Sequence, residues 1–162
     1  MKKPVRSLTH TTPSGDARMV DVSAKDDSLR EATATGRITM SREALDLIRE
    51  NQVKKGDVLH TAKLAGIMAA KKTANLVPLC HPIALTDVVV TVEPILEPAA
   101  IEATATVRTV GKTGVEMEAI TAVTVALITV YDMVKSVDRG MTISGVHLVS
   151  KKGGKSGSWQ RR

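Results

Sequence analysis

A chain of 162 residues, 43% hydrophobic and 25% charged, has the length and composition of one folded domain with a real core. Its aromatic content is 1%, with no Phe, one Trp and one Tyr, which makes the core aliphatic and argues against nucleic-acid modules that stack bases on aromatic platforms. A net charge of +6 favours anionic partners, whether nucleic acid, a membrane surface or a phosphorylated small molecule.

The single cysteine excludes an intrachain disulfide and fits a reducing compartment. The N-terminus, Met1 to Arg6, is basic but lacks the apolar centre of a signal peptide. Residues 119–134 are apolar, yet shorter than the roughly 20 residues of a membrane span and interrupted by Thr121, Thr124, Thr129 and Asp132. The expectation is a soluble, cytoplasmic protein.

In chain order, residues 1–18 read as a flexible polar arm, 19–157 as a single α+β catalytic domain, and 158–162 as a tail. Thr33, Thr35, Ile38 and Thr39 suit a strand over 31–40. Ser41 offers an N-cap to a short amphipathic helix carrying Ala44, Leu45, Leu47 and Ile48. Lys54 to Asp57 breaks the chain, and Asp57 caps a second helix that ends at Lys71 and Lys72, where cations complement the helix dipole.

Pro78 and Pro82 force an extended loop. Residues 87–95 and 101–110 read as strands joined by a turn around Pro94 and Pro98. A long helix is predicted from about Thr113 to Val137, closed by Gly140, and a last strand over 141–150. A flexible basic loop, Lys151 to Gly157, follows. Counting the paired early helices as one layer gives β-α-β-β-α-β, a ferredoxin-like α+β plan with an extra helix and helices on one face of an antiparallel sheet. Val88 to Val92 and the long helix are apolar nearly all round, more than a small domain buries alone, so a homo-oligomer is expected.

Four groups of residues could do chemistry. Asp132 and Lys135 share one helical face at i, i+3. A carboxylate among Val130, Met133 and Val134 near a helix C-terminus is opposed by desolvation and by the dipole. The plain reading is a solvated ion pair of little energetic value; the favoured one is an acid/base pair. Thr113 with Glu116 fits a capping box, whereas Glu118 has no such structural role. Glu118 and Asp132 return to the same face but stand about 21 Å apart along a straight helix, so one pocket needs two subunits or a broken helix.

Cys80 and His81 are adjacent in an extended loop, where side chains point apart, and no second Cys completes a zinc site. The alternatives are a buried Cys with a backbone-bonded His, or a polar His81 facing a pocket. Gly153 to Gly157 fails as a phosphate loop because Val149 stands where the first Gly is needed and no helix follows. What survives is glycine-exposed amides with Lys151, Lys152 and Lys155, able to fold over an anion.

Seven runs together resemble the MoaC proteins, the cyclic pyranopterin monophosphate synthases of molybdenum cofactor biosynthesis. They are Met19 to Lys25, Lys55-Gly56-Asp57, Ala69 to Thr73, Pro78 to Pro82, Lys112 to Ala119, Tyr131 to Met133 with Lys135, and Gly153 to Gly157. The resemblance implies a lyase that converts 3′,8-cyclo-7,8-dihydro-GTP, supplied by a radical GTP cyclase, into cyclic pyranopterin monophosphate and pyrophosphate. It implies a ferredoxin-like fold and a homohexamer, a trimer of dimers with sites at the dimer interface.

It also implies that Asp132 and Lys135 are catalytic. Leu79, Cys80, His81, Met117 and Glu118 then bind substrate, with Glu116, Lys55, Arg30, Lys151 and Lys155 as further polar residues of the pocket. The chemistry suits these types: rebuilding a purine as a pterin moves ring protons, and expelling pyrophosphate develops charge that Lys55, Lys151, Lys155 and Arg30 would stabilise. No cofactor or resident metal is called for, and magnesium carried by the triphosphate is compatible. Two competing classes are a basic RNA-binding module, disfavoured by the missing aromatics and the acidic Glu116 to Glu118 segment, and a non-catalytic pterin or nucleotide carrier.

Overall fold

Alternating burial builds the sheet. In strand β1 (Ser28–Thr39), Ala32, Ala34 and Ile38 face the core while Arg37 points to solvent; in β3 (Ala100–Gly111), Ala103, Ala105 and Val107 are buried and Glu102 and Arg108 exposed. This period of two buries one face of each strand. The computed structural model describes residues 16–155 and 157–162. Its remaining elements are α1 (Arg42–Arg49), α2 (Val58–Ala70), α3 (Thr73–Leu76), β2 (Asp87–Ile95), α4 (Glu116–Val134), β4 (Thr142–Lys152) and β5 (Trp159–Gln160).

The strands form one antiparallel sheet in the order β2-β3-β1-β4-β5. The first four follow the expected split β-α-β arrangement, so the α+β class and the ferredoxin-like plan hold. Pro94 sits in β2 at the sheet's margin, where a missing donor is tolerated. The opposite face of the sheet carries paired threonines, Thr33 with Thr106 at 2.9 Å and Thr35 with Thr104 at 3.0 Å.

Helix α4 lies across β1, β3 and β4, and α2 lies against α4. Small residues permit this: a Cβ on Gly66 of α2 would stand 2.9 Å from the Ala122 carbonyl oxygen of α4, so the two backbones nearly touch. Helix α4 has the length and hydropathy of a membrane span, but half of that stretch is buried within the domain, including Val123, Leu127 and Val130. The caps of the first two helices are those expected, with the Ser41 hydroxyl accepting from Ala44 N–H at 3.2 Å and the Asp57 carboxylate from His60 N–H at 2.9 Å.

Several expectations need correction. Helix α4 starts at Glu116, after Val115, with no side-chain cap, so the Thr113–Glu116 capping box does not form. It ends at Val134, before a loop to Gly140, rather than at Val137. Strand β4 runs through Lys152, which places Lys151 and Lys152 in the sheet instead of a flexible loop. The short helix α3 and the strand β5, in the segment read as a tail, had no predicted counterpart. The proposed N-terminal arm lies outside the described residues up to residue 15.

Candidate functional site

The residues singled out from sequence gather at the two ends of α4. At its N-terminal end the first turn carries Glu116, Met117 and Glu118 against the loop of Leu79, Cys80 and His81, around a cleft of about 460 Å³. Glu116 is the first residue of the helix rather than the third, so it cannot close a capping box, and its carboxylate accepts from Lys151 Nζ of β4 at 2.9 Å. Glu118 is buried, 4% exposed. Burial, reinforced by the neighbouring charge of Glu116, pushes its carboxyl up to about 6. A carboxyl that titrates there can give or take a proton near neutral pH.

Burial and the negative charge of Glu118 likewise push the Cys80 thiol up, which keeps it protonated and unsuited to nucleophilic attack. His81 lines the cleft and also bonds the backbone, Nε2 to the Val20 carbonyl at 2.7 Å. A carbonyl only accepts, so Nε2 carries the proton and Nδ1 is the nitrogen left for a ligand. Both expectations for this histidine hold together.

Two further hollows, of about 210 and 610 Å³, adjoin this cleft and share residues with it. Arg30 lines both and Lys155 the larger, with Lys112, Lys151 and Lys152 in the smaller. The Arg30 guanidinium is held by carbonyls at the end of β3, Nε to Gly111 O at 3.2 Å and Nη2 to Lys112 O at 3.3 Å. Bonds to neutral carbonyls fix its direction and leave its charge uncancelled. Lys25 lines all three hollows and was not among the predicted site residues. Its signal was weak: one lysine in a polar stretch, with no periodicity to place it.

The other end of α4 is built differently. The Asp132 carboxylate lies between two ammonium groups, Lys135 Nζ on Oδ1 and Lys55 Nζ on Oδ2, each at 2.7 Å. Lys55 also donates to the Asp132 carbonyl at 2.9 Å, so a cation meets one of the last carbonyls of the helix. All three side chains are about half exposed in the single chain. The two lysines hold the Asp132 carboxyl down at about 2. The expected desolvation of Asp132 is therefore wrong: Val130, Met133 and Val134 face the core, and Asp132 faces the opposite side of the helix.

Lys55 stands with Asp132 rather than with the other predicted phosphate-binding cations. Tyr131, Ser136 and Arg139 complete this hollow of about 410 Å³.

Within one chain the two clusters do not meet, since fourteen residues of straight helix separate Glu118 from Asp132 by about 21 Å. Among the described residues no group of three or more His, Cys, Asp or Glu could hold a metal ion.

Comparison with known proteins covers both clusters. A family model described as the MoaC family matches residues 19–154. The chain is 59% identical over 153 residues to the cyclic pyranopterin monophosphate synthase of a Methylobacterium species, spanning 94% of this chain and 96% of that one. Proteins of the same name from Thermomicrobium roseum and Parvibaculum lavamentivorans are 55% identical over 95% of this chain and 54% over 97%, and the matches span 93% and 98% of those proteins. With the match running through both ends of α4, the chain belongs to the MoaC family.

Proposed function

We propose that this chain is the lyase that converts 3′,8-cyclo-7,8-dihydro-GTP to cyclic pyranopterin monophosphate and pyrophosphate, an early step of molybdenum cofactor biosynthesis. The observation that carries the reading is the pair of oppositely tuned carboxyls, Glu118 raised to about 6 and Asp132 lowered to about 2. Separating two carboxyls in this way leaves one able to exchange a proton and the other ionised as a fixed negative charge.

In this reading the triphosphate lies among Arg30, Lys151 and Lys155, with Lys25 and Lys112 beside them. A sugar hydroxyl oxygen attacks the α-phosphorus, the bond to the bridging oxygen of the β-phosphate breaks, and pyrophosphate leaves with the hydroxyl proton, its remaining charge met by fixed cations. The purine faces Leu79, Cys80, His81, Met117 and Glu118, and Glu118 exchanges protons with ring nitrogens. Asp132 stays ionised and orients Lys55 and Lys135, whose ammonium groups donate to the reacting ring and its leaving atoms. Magnesium enters as part of the substrate, held by phosphate oxygens.

The 21 Å between the clusters is resolved by a second copy of the chain, whose Asp132 end closes over the Glu118 cleft. The assembly is a hexamer, a trimer of such dimers, and apolar side chains left at the surface, Leu64, Met68 and Ile128 among them, are consistent with contact between copies. The substrate comes from a radical GTP cyclase, and the enzyme works in the cytoplasm.

Mixing separates this from a non-catalytic carrier. Subunits with Asp132→Asn and subunits with Glu118→Gln, each inactive alone, are expected to regain part of the turnover when unfolded together and refolded. No recovery in the mixed oligomer would rule out a site shared between copies.

A further inference from the structure

Strand β5 lies beside the residue of β4 that forms an ion pair with the first turn of α4. Trp159 is in register with Lys151 and Gln160 with Ser150, and Arg161 N–H donates to the Val149 carbonyl at 2.8 Å. On its other side Lys151 is in register with Ala32 of β1. Without β5, Lys151 would be the second-last residue of an edge strand, where pairing frays. With it, the backbone of Lys151 is held from both sides while its ammonium meets Glu116.

The turn between the strands has the same close fit. Gly153, Gly154 and Gly157 adopt φ of 97°, 73° and 65°, and Gly157 N–H donates to the Gly154 carbonyl at 3.0 Å. These are backbone conformations that side chains resist. A Cβ on Gly154 would fall inside the Arg30 guanidinium, so the turn presses directly on that group. Arg30 and Lys151 are thus both set by the chain that follows β4.

We propose that β5 is a positioning strand for the polyphosphate half of the site: by pairing with β4 it fixes Lys151 beside Glu116 and seats the glycine turn against Arg30. The inference rests on the proposed function in assigning phosphates to this cleft. Its residues touch no substrate; they act through Lys151 and Arg30.

The test compares the full chain with three variants: a chain ending at Ser158, Arg161→Pro and Arg161→Ala. Proline removes the N–H that bonds Val149, whereas alanine keeps it. Inorganic pyrophosphate is titrated calorimetrically, and steady-state kinetics and melting temperature are measured alongside. The truncated chain and Arg161→Pro are expected to bind pyrophosphate about tenfold more weakly, equivalent to about 1.4 kcal/mol. Their KM should rise in parallel while kcat stays within about twofold of the full chain, the pattern of lost ground-state binding. Arg161→Ala should match the full chain, and the melting temperature should move little in any of them.

Wild-type affinity and KM in the truncated chain would overturn the positioning role. So would an Arg161→Ala variant as weak as Arg161→Pro, because the guanidinium and not the pairing would then matter. If the full chain itself fails to bind pyrophosphate in competition with substrate, the phosphate assignment falls and takes this inference with it.

Discussion

The two ends of α4 treat the same functional group in opposite ways. At the first turn Glu118 is withdrawn from water beside a sulfur and a second acid, and its proton is held up to about 6. In the last turn Asp132 faces outward between two lysines and loses its proton down to about 2. Neither result follows from the helix dipole, which favours an ionised Glu118 at the N-terminus and a protonated Asp132 at the C-terminus. Burial and close charge are the larger effects, and they reverse the dipole at both ends.

Several measurements sharpen or break this contrast. The largest effect belongs to Asp132→Asn, which keeps the shape and removes the charge. We expect kcat to fall about 10²- to 10⁴-fold, because the two lysines that donate protons lose the charge that orients them, with substrate affinity changed only a few-fold. Rapid-quench turnover with equilibrium binding checks it, and wild-type kcat would break the contrast.

Glu118→Gln comes next. A carboxyl raised from its usual 4.5 to about 6 is more easily left protonated in the folded chain, so the wild type is favoured below 4.5 and loses that advantage as pH climbs through 6. The variant has no such loss. Between pH 4 and pH 8 the stability difference should therefore shift in its favour by roughly 2 kcal/mol, at about 1.4 kcal/mol per pKa unit. Denaturant unfolding at both pH values and a fixed protein concentration reads this directly.

At the opposite end the sign inverts. The stabilisation Asp132 gains from Lys55 and Lys135 is complete above its unfolded value of 3.8 and disappears as pH falls toward 2. Replacing both lysines with methionine should return the Asp132 titration, followed by carboxyl NMR, toward 3.8. An unmoved titration would show that some other cation holds it down.

The smallest effect is the Glu116–Lys151 pair, whose side chains are 28% and 31% exposed. A double-mutant cycle to alanine should give a coupling of about 0.5–1 kcal/mol, near the upper end for exposed pairs.

How legible was this from sequence? Residues 87–95 read correctly as a strand because the β-branched run Val88 to Val92 is a local signal. Ser41 and Asp57 were legible for the same reason, since a cap acts on amides three residues away. The failures share a different property. Glu116 looks like half of a capping box, but its partner is Lys151, 35 residues on. Lys55 gives no sign in the sequence of its ion pair with Asp132, 77 residues away.

Asp132 is exposed although its sequence neighbours are apolar. Val130, Met133 and Val134 are next to it in the chain and on the other side of the helix. β5 carried no readable signal, since two residues have no period. Its identity depends wholly on β4 being there to pair with.

The scarcity of aromatic rings has a practical consequence. Of the two large rings in the chain, Tyr131 lines the hollow of Asp132, with its hydroxyl on the Arg139 carbonyl at 3.2 Å, and Trp159 stands across from Lys151. One end of the helix thus carries a natural fluorophore, and the other has one nearby on β5. Tyrosine and tryptophan emission, recorded separately during a ligand titration, report occupancy of the two ends without any label being attached.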